Sequence, residues 1–209
     1  MKIKWMLGFV FASLLATQVT AQQLVFKEGV DYDLISPSVK TSNPEKIVVT
    51  ELFWYGCPHC FRFEPYVEHW AKTLPAGVIF EQVPSVINPR WVDHAKAFYA
   101  LKMMGVQKQV HKKLFDAIHV KRQRLMNLDS IAEYIAEQGL DEKLFRDSYA
   151  SFPVDNQVRK NGQVEKRYGH NGVPAVVVNG KYLISAGKAG SNQRLLQIAN
   201  FLIGKEMAQ

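Results

Sequence analysis

The apolar positions of this chain change their period along its length, and the changes divide it into elements. Residues 46–54 are β-branched and aromatic, as a buried strand requires, and residues 78–83 repeat that composition ahead of Pro84. Between the two, a helix is expected from Cys57 or Pro58, because proline is tolerated in a first helical turn. It runs through Tyr66, Val67 and Trp70 to about Thr73. Pro65 inside it has no amide hydrogen and crowds the carbonyl four residues back, so a kink is expected between Phe61 and Pro65.

From Asn88 to about residue 152 the period is helical. Asn88-Pro89 reads as a cap and a first-turn proline, with Trp91, Ala95, Phe98 and Leu101 following at helical spacing until Gly105. Val110, Leu114 and Ile118 carry a second helix. Ser130-x-x-Glu133 reads as the capping box of a third, which ends at Gly139; Leu140-Asp141 with Phe145 reads as a staple and cap opening a fourth. Strands then return. Residues 175–178, the turn Asn179-Gly180 and residues 181–185 form a hairpin, since Asn-Gly supplies the positive φ angles of a tight turn, and a closing helix spans about 192–203.

Strand, helix, strand, helical block, hairpin and helix is the order of an α/β thioredoxin fold with an inserted all-helical subdomain. The boundaries read as 22–87 and 153–209 for the thioredoxin-like part and 88–152 for the insertion. Residues 1–21 are set apart. Lys2 and Lys4 precede an apolar stretch from Trp5 to Ala16, and Val19-Thr20-Ala21 supplies small residues for a signal peptidase, so an export signal cut after about Ala21 is expected. No later stretch reaches the roughly 18 continuous apolar residues of a membrane helix.

Loss of that segment takes the net charge from +7 to about +5. Much of the excess lies in Lys108, Lys112, Lys113, Lys121, Arg122 and Arg124. Base-stacking aromatics are not interleaved with these charges, so the cluster reads as a solvated helix face and no nucleic-acid partner is expected.

The chemistry rests on two cysteines, three apart, in Cys57-Pro58-His59-Cys60. A zinc site needs about four ligands, and one Cys-x-x-Cys with scattered histidines supplies no second pair, so no metal is expected. A static staple over so short a loop would restrict little chain entropy. A redox centre fits better. At a helix N-terminus the Cys57 sulfur meets unpaired backbone amides and the positive end of the helix dipole, which favour thiolate, and His59 adds a further donor. A stabilised thiolate leaves readily, so a Cys57–Cys60 disulfide should act as an oxidant. Glu51, a charge in an apolar run six residues before Cys57, would have a raised pKa if buried and could exchange a proton with Cys60; at a strand edge it would face water instead.

With Cys-Pro-His-Cys at the helix start, Gly172-Val173-Pro174 before the hairpin, the export signal and the helical insertion, the chain resembles the DsbA family of bacterial thiol:disulfide oxidoreductases over essentially its whole mature length. The resemblance implies a monomeric periplasmic dithiol oxidase without cofactor, acting on unfolded or folding exported polypeptides and reoxidised by a membrane quinone-linked partner of the DsbB type. It implies Cys57 and Cys60 as the redox pair, Pro58 and His59 as tuning residues, and a cis Val173-Pro174 bond whose backbone pairs with extended substrate. Family members commonly set a lysine opposite the acid at position 51; here the matching strand position is Gln82. A disulfide isomerase or reductase is the nearest enzyme alternative, although the few residues ahead of Lys46 leave no room for an N-terminal dimerisation domain. A thioredoxin-like chaperone or a metallochaperone is the non-enzymatic one. His69, His94, His111, His119 and His170 show no ligand-like spacing and read as surface or packing residues.

Overall fold

The computed structural model describes residues 25–208, so the expected export signal at 1–21 lies outside the described residues. Five strands form one mixed sheet: β1 (Asp33–Leu34), β2 (Ile47–Phe53), β3 (Val78–Pro84), β4 (Ala175–Val178) and β5 (Tyr182–Ser185), in the order β1-β5-β4-β2-β3. β2 runs parallel to β3, and the other pairs are antiparallel. With a neighbour on each side, β2 is interior to the sheet, which explains its near-continuous apolar composition.

The alternation of side chains along β2 sends Val49 and Leu52 to opposite faces. Val49 packs with Phe63, Val67 and Trp70 of α1 (Pro58–Ala71) and with Leu195, Ile198 and Leu202 of α8 (Asn192–Met207). Leu52 packs with Ala175, Val177 and Leu183, against Val164 and Tyr168 of α6 (Phe152–Tyr168). Pro65 sits inside α1, which continues through it as one element. Of the remaining helices, α2 (Val92–Met103), α3 (Gln107–His119), α4 (Leu128–Glu137) and α5 (Glu142–Tyr149) form the helical insertion, and α7 (Ala186–Ala189) is a single turn after β5. The insertion has its own core, in which Phe98, Leu114, Phe115, Ile131, Ile135 and Phe145 meet Phe53 and Tyr55 at the end of β2.

Asn88 caps a 3-10 turn at Pro89–Trp91 that leads into α2, and Asp141 Oδ1 accepts from Leu144 N at 2.8 Å at the start of α5. One expected cap is displaced. The box at α4 is formed by Asn127 and Ser130, not by Ser130 and Glu133: Asn127 Oδ1 accepts from Ser130 N at 2.9 Å, and the Ser130 hydroxyl turns back to Asn127. The earlier start adds a turn and brings Leu128 against the insertion core, which favours it over a start at residue 130.

Sequence reading left α6 unassigned. Its buried positions, Val154, Val158, Asn161 and Glu165, have helical spacing, but half of them are polar, so no apolar stripe marks the helix. β1 is two residues long, too short to show a period.

The hairpin turn is as expected, with Asn179 at φ +50° and Gly180 at φ +64°. A Cβ at Gly180 would lie 2.0 Å from the Val39 carbonyl oxygen. Gly180→Ala is therefore expected to destabilise the protein by about 2 kcal/mol, from left-handed strain plus displacement of the 39 backbone; urea denaturation measures it, and an unchanged midpoint would contradict the close approach.

Candidate active site

The parallel pairing of β2 with β3 ends beside a turn, Trp54 to Cys57, closed by a bond from Cys57 N to Trp54 O at 2.9 Å. The Trp54 indole folds against Gly56, where any side chain would collide with it, and stacks on Trp91 at 4.9 Å between ring centroids. Cys57 then caps α1. Its Sγ accepts from Cys60 N at 3.4 Å, and Pro58 fills the first helical position, where a missing amide hydrogen costs nothing.

Both cysteines are in the dithiol form, and they differ in access: Cys57 is 7% exposed and Cys60 fully buried. Their acidities diverge accordingly. The Cys57 thiol is lowered from 9.0 to about 6, first by the hydrogen bond from Cys60, then by the backbone amides of Cys60 and His59, with the His59 charge last, all against an opposing effect of burial. Burial pushes the Cys60 thiol well up, and the neighbouring Cys57 and Glu51 add to the rise. One sulfur is thus built to carry negative charge and the other to carry a proton.

His59 is exposed and accepts from Arg62 Nη2 through Nδ1 at 2.9 Å, so it sits beside the pair without covering it. Across from Cys57, the Val173 carbonyl oxygen lies 3.4 Å from Sγ and accepts from the thiol. The Val173-Pro174 bond is cis, as the resemblance implied. The loop carrying it is held by a buried pair that sequence reading did not find. Glu165 of α6 accepts from the Ser85 hydroxyl at 2.8 Å and from Val86 N, and faces His170 Nε2 at 3.3 Å; His170 Nδ1 in turn lies 3.1 Å from the Gly172 carbonyl oxygen.

Glu51 is fully buried in β2, beneath α1, and its strand partner is Gln82. The Gln82 amide donates to Glu51 Oε2 at 3.0 Å, while Glu51 Oε1 has no partner. Burial raises the Glu51 carboxyl from 4.5 to about 8, aided by the charge of Glu64 and then of Cys57. Glu64 comes from α1 and shares the same amide at 3.2 Å. Cys60, Glu64 and Val67 fall at helical spacing, so this buried glutamate could have been read from the sequence. Three histidines of the insertion reach the turn before Cys57. His111 Nδ1 lies 2.8 Å from the Tyr55 hydroxyl, His119 Nε2 2.8 Å from the Tyr55 carbonyl oxygen, and His94 packs edge-on against the Tyr55 ring. His119 also stacks on Phe61.

A reactive thiol at the N-terminus of the first helix, a buried partner three residues on, and a cis-proline loop facing the first of them define a dithiol–disulfide oxidoreductase of thioredoxin type. The helical insertion and the comparisons narrow the class. A family model described as the DSBA-like thioredoxin domain matches residues 68–202, a span that begins after the cysteine pair and so does not depend on it. The thiol:disulfide interchange protein DsbA of Pseudomonas aeruginosa is 40% identical over 190 residues, covering 91% of this chain and 90% of that one. The DsbA of Azotobacter vinelandii is 40% identical over 97% of both chains. The crystal structure of Pseudomonas aeruginosa DsbA superposes with a TM-score of 0.84 at 40% identity, over 88% of this chain and 95% of that one; the oxidoreductase DsbA from Xylella fastidiosa does so at 0.80, with 28% identity and 86% and 96% coverage. This chain belongs to the DsbA family of thiol:disulfide oxidoreductases.

Proposed function

We propose that this protein donates the Cys57–Cys60 disulfide to exported polypeptides during their oxidative folding in the periplasm. The opposed acidities of the two thiols carry the reading: Cys57 lowered to about 6, Cys60 raised. A substrate thiolate attacks Sγ of Cys57, the more exposed sulfur, and the Cys57–Cys60 bond breaks with its electron pair on Cys60. Cys60 takes a proton, for which Glu51 is the buried candidate donor. A second substrate thiolate then attacks the substrate sulfur of the mixed disulfide, and Cys57 leaves as a thiolate that stays ionised at neutral pH. The substrate has lost two electrons and, on forming its two thiolates, two protons to solvent; once Glu51 takes one back to replace the proton it gave Cys60, the net result is one proton on Cys60 and one in solvent. The Val173 backbone, beside Cys57, is positioned to pair with an extended substrate strand, which gives affinity without sequence specificity.

The reduced protein then needs an oxidant, for which a membrane quinone-linked protein of the DsbB type is the expected partner. Residues 1–21 are read as the export signal, 22–87 with 153–209 as the thioredoxin-like part, and 88–152 as the insertion. The direct test is stoichiometric. Oxidised protein mixed with a peptide bearing two thiols should yield one peptide disulfide and two protein thiols, counted by thiol labelling; failure of the peptide to oxidise would contradict the function.

His59 is assigned a minor tuning role. Its charge acts on Cys57 across solvent-exposed space, whereas the amides and Cys60 act within the helix turn. His59→Ser is expected to raise the Cys57 midpoint by about half a pH unit, followed by ultraviolet thiolate absorbance. An unmoved midpoint would remove His59 from the tuning residues.

A further inference from the structure

The exchange above leaves two buried carboxylates beside Cys60, and nothing on the strands neutralises them. Gln82 spans the pair, 3.0 Å from Glu51 Oε2 and 3.2 Å from Glu64 Oε2, but an amide brings hydrogen bonds and no charge. Two carboxylates in one site resist ionising together unless a cation stands near. A cation-capable group from the insertion reaches Glu64, and through it the pair. His111 Nε2 lies 3.1 Å from Glu64 Oε1, close enough for an ion pair though without hydrogen-bond alignment, and Nδ1 lies 2.8 Å from the Tyr55 hydroxyl. The ring is buried among Phe53, Phe98 and Phe115, which fix its place.

A groove of about 1040 Å³ gives Glu64 and His111 access to water on a side that none of Cys57, His59, Val173 or Pro174 lines. The charged groups that line this groove with His111 are Glu64 and Glu68 on α1, Lys72 at its C-terminal end, Glu81 on β3, Lys102 on α2, and Lys108 and Lys112 on its own helix; Tyr55 is also reached by Gln107, and Glu51 on β2 lies beyond Gln82. The lysines stand at the groove mouth and are exposed, so solvent screens them, whereas His111 is buried against the pair.

We propose that His111 is a positioning residue of the disulfide exchange: its positive charge, held against Glu64 by the insertion, offsets the carboxylate pair and lets Glu51 release its proton to Cys60. This rests on the exchange proposed above. When Cys60 departs as a thiolate, Glu51 gives up its proton and is a carboxylate until it regains one from water in the groove; on reoxidation the Cys60 proton leaves by the same carboxylate. In that interval the Glu51 carboxylate lies beside Glu64, and a positive charge on His111 stabilises it. Without it, Glu51 holds its proton to higher pH.

His111→Gln keeps a polar side chain for Tyr55 and Glu64 but removes the charge. The Glu51 titration midpoint in the reduced variant, read by carbon-13 NMR of labelled glutamate, is expected to rise by about one pH unit. Adding Gln82→Lys, which places an ammonium between the same carboxylates, should return it toward the starting value. Adding Glu64→Gln should abolish its dependence on residue 111. An unmoved Glu51 midpoint in His111→Gln overturns the proposal, as does a shift that Gln82→Lys leaves in place, since a purely structural role would not respond to charge supplied from the strand. If His111→Gln does not fold, Gln82→Lys alone decides: it must lower the Glu51 midpoint, and no change overturns the proposal. Peptide oxidation by the unaltered protein in the same buffers separates the two claims. Its failure counts against the proposed function; normal oxidation with an unmoved midpoint counts against His111.

Discussion

Replacing Cys57 by serine is expected to abolish disulfide transfer, lowering the rate of dithiol oxidation at least about a thousandfold, because Cys60, the one cysteine left in the sequence, cannot hold the disulfide to be transferred. Cys60→Ser should fail differently. Cys57 keeps its place at the helix N-terminus, with the amides of His59 and Cys60 still directed at it, and remains a nucleophile toward a disulfide-bonded peptide. The mixed disulfide that results has no neighbouring thiol to resolve it and should accumulate, visible by mass as a protein–peptide adduct. The asymmetry is the informative part. Were Cys60 the attacked sulfur, Cys57→Ser would be the variant that accumulates adducts, yet Cys60 is fully buried and its thiol is pushed up rather than down.

Glu51→Leu should make the reduced protein more stable and slower. The carboxyl titrates near 8 in the fold, against about 4.5 in the unfolded chain. Between those values the folded state holds a proton that the unfolded state has lost, so stability falls as pH rises through the window and the full penalty applies above about pH 8. Leucine removes it. The gain at pH 9 should exceed that below pH 4 by about 5 kcal/mol, and the lost Gln82 bond lowers it by about 1–2 kcal/mol at every pH, leaving about 3 kcal/mol at pH 9 and a loss of about 1–2 kcal/mol below pH 4. Urea denaturation across this range measures it; a gain independent of pH would assign the effect to packing instead. The same substitution takes the proton donor from Cys60, and dithiol oxidation at neutral pH should slow by about tenfold.

The sheet strands β2 and β3, helix α1 and the hairpin were legible because each carries one unmixed period or an explicit turn. The Glu51–Gln82 register was legible for the same reason, as two strands in parallel fix which residues face each other. The site's second layer was not. His111 and His119 look like packing residues in sequence because their partners, Glu64 and the Tyr55 backbone, lie about fifty residues or more away; only the docking of the insertion brings them together. Glu165 and His170 stayed hidden for a related reason. They sit on and just after α6, whose buried face is half polar, and a buried polar stripe leaves no hydrophobic signature. Ser130-x-x-Glu133 misled by matching a capping pattern that Asn127, three residues earlier, fulfils with a hydrogen bond of good length.

The reduction potential of the Cys57–Cys60 pair decides whether this protein is a disulfide donor. A thiolate stabilised to a midpoint of about 6 favours the reduced form at neutral pH, so equilibration with glutathione should give a potential well above the roughly −270 mV of thioredoxin. A value at or below that of thioredoxin would contradict the assignment of this protein as a disulfide donor.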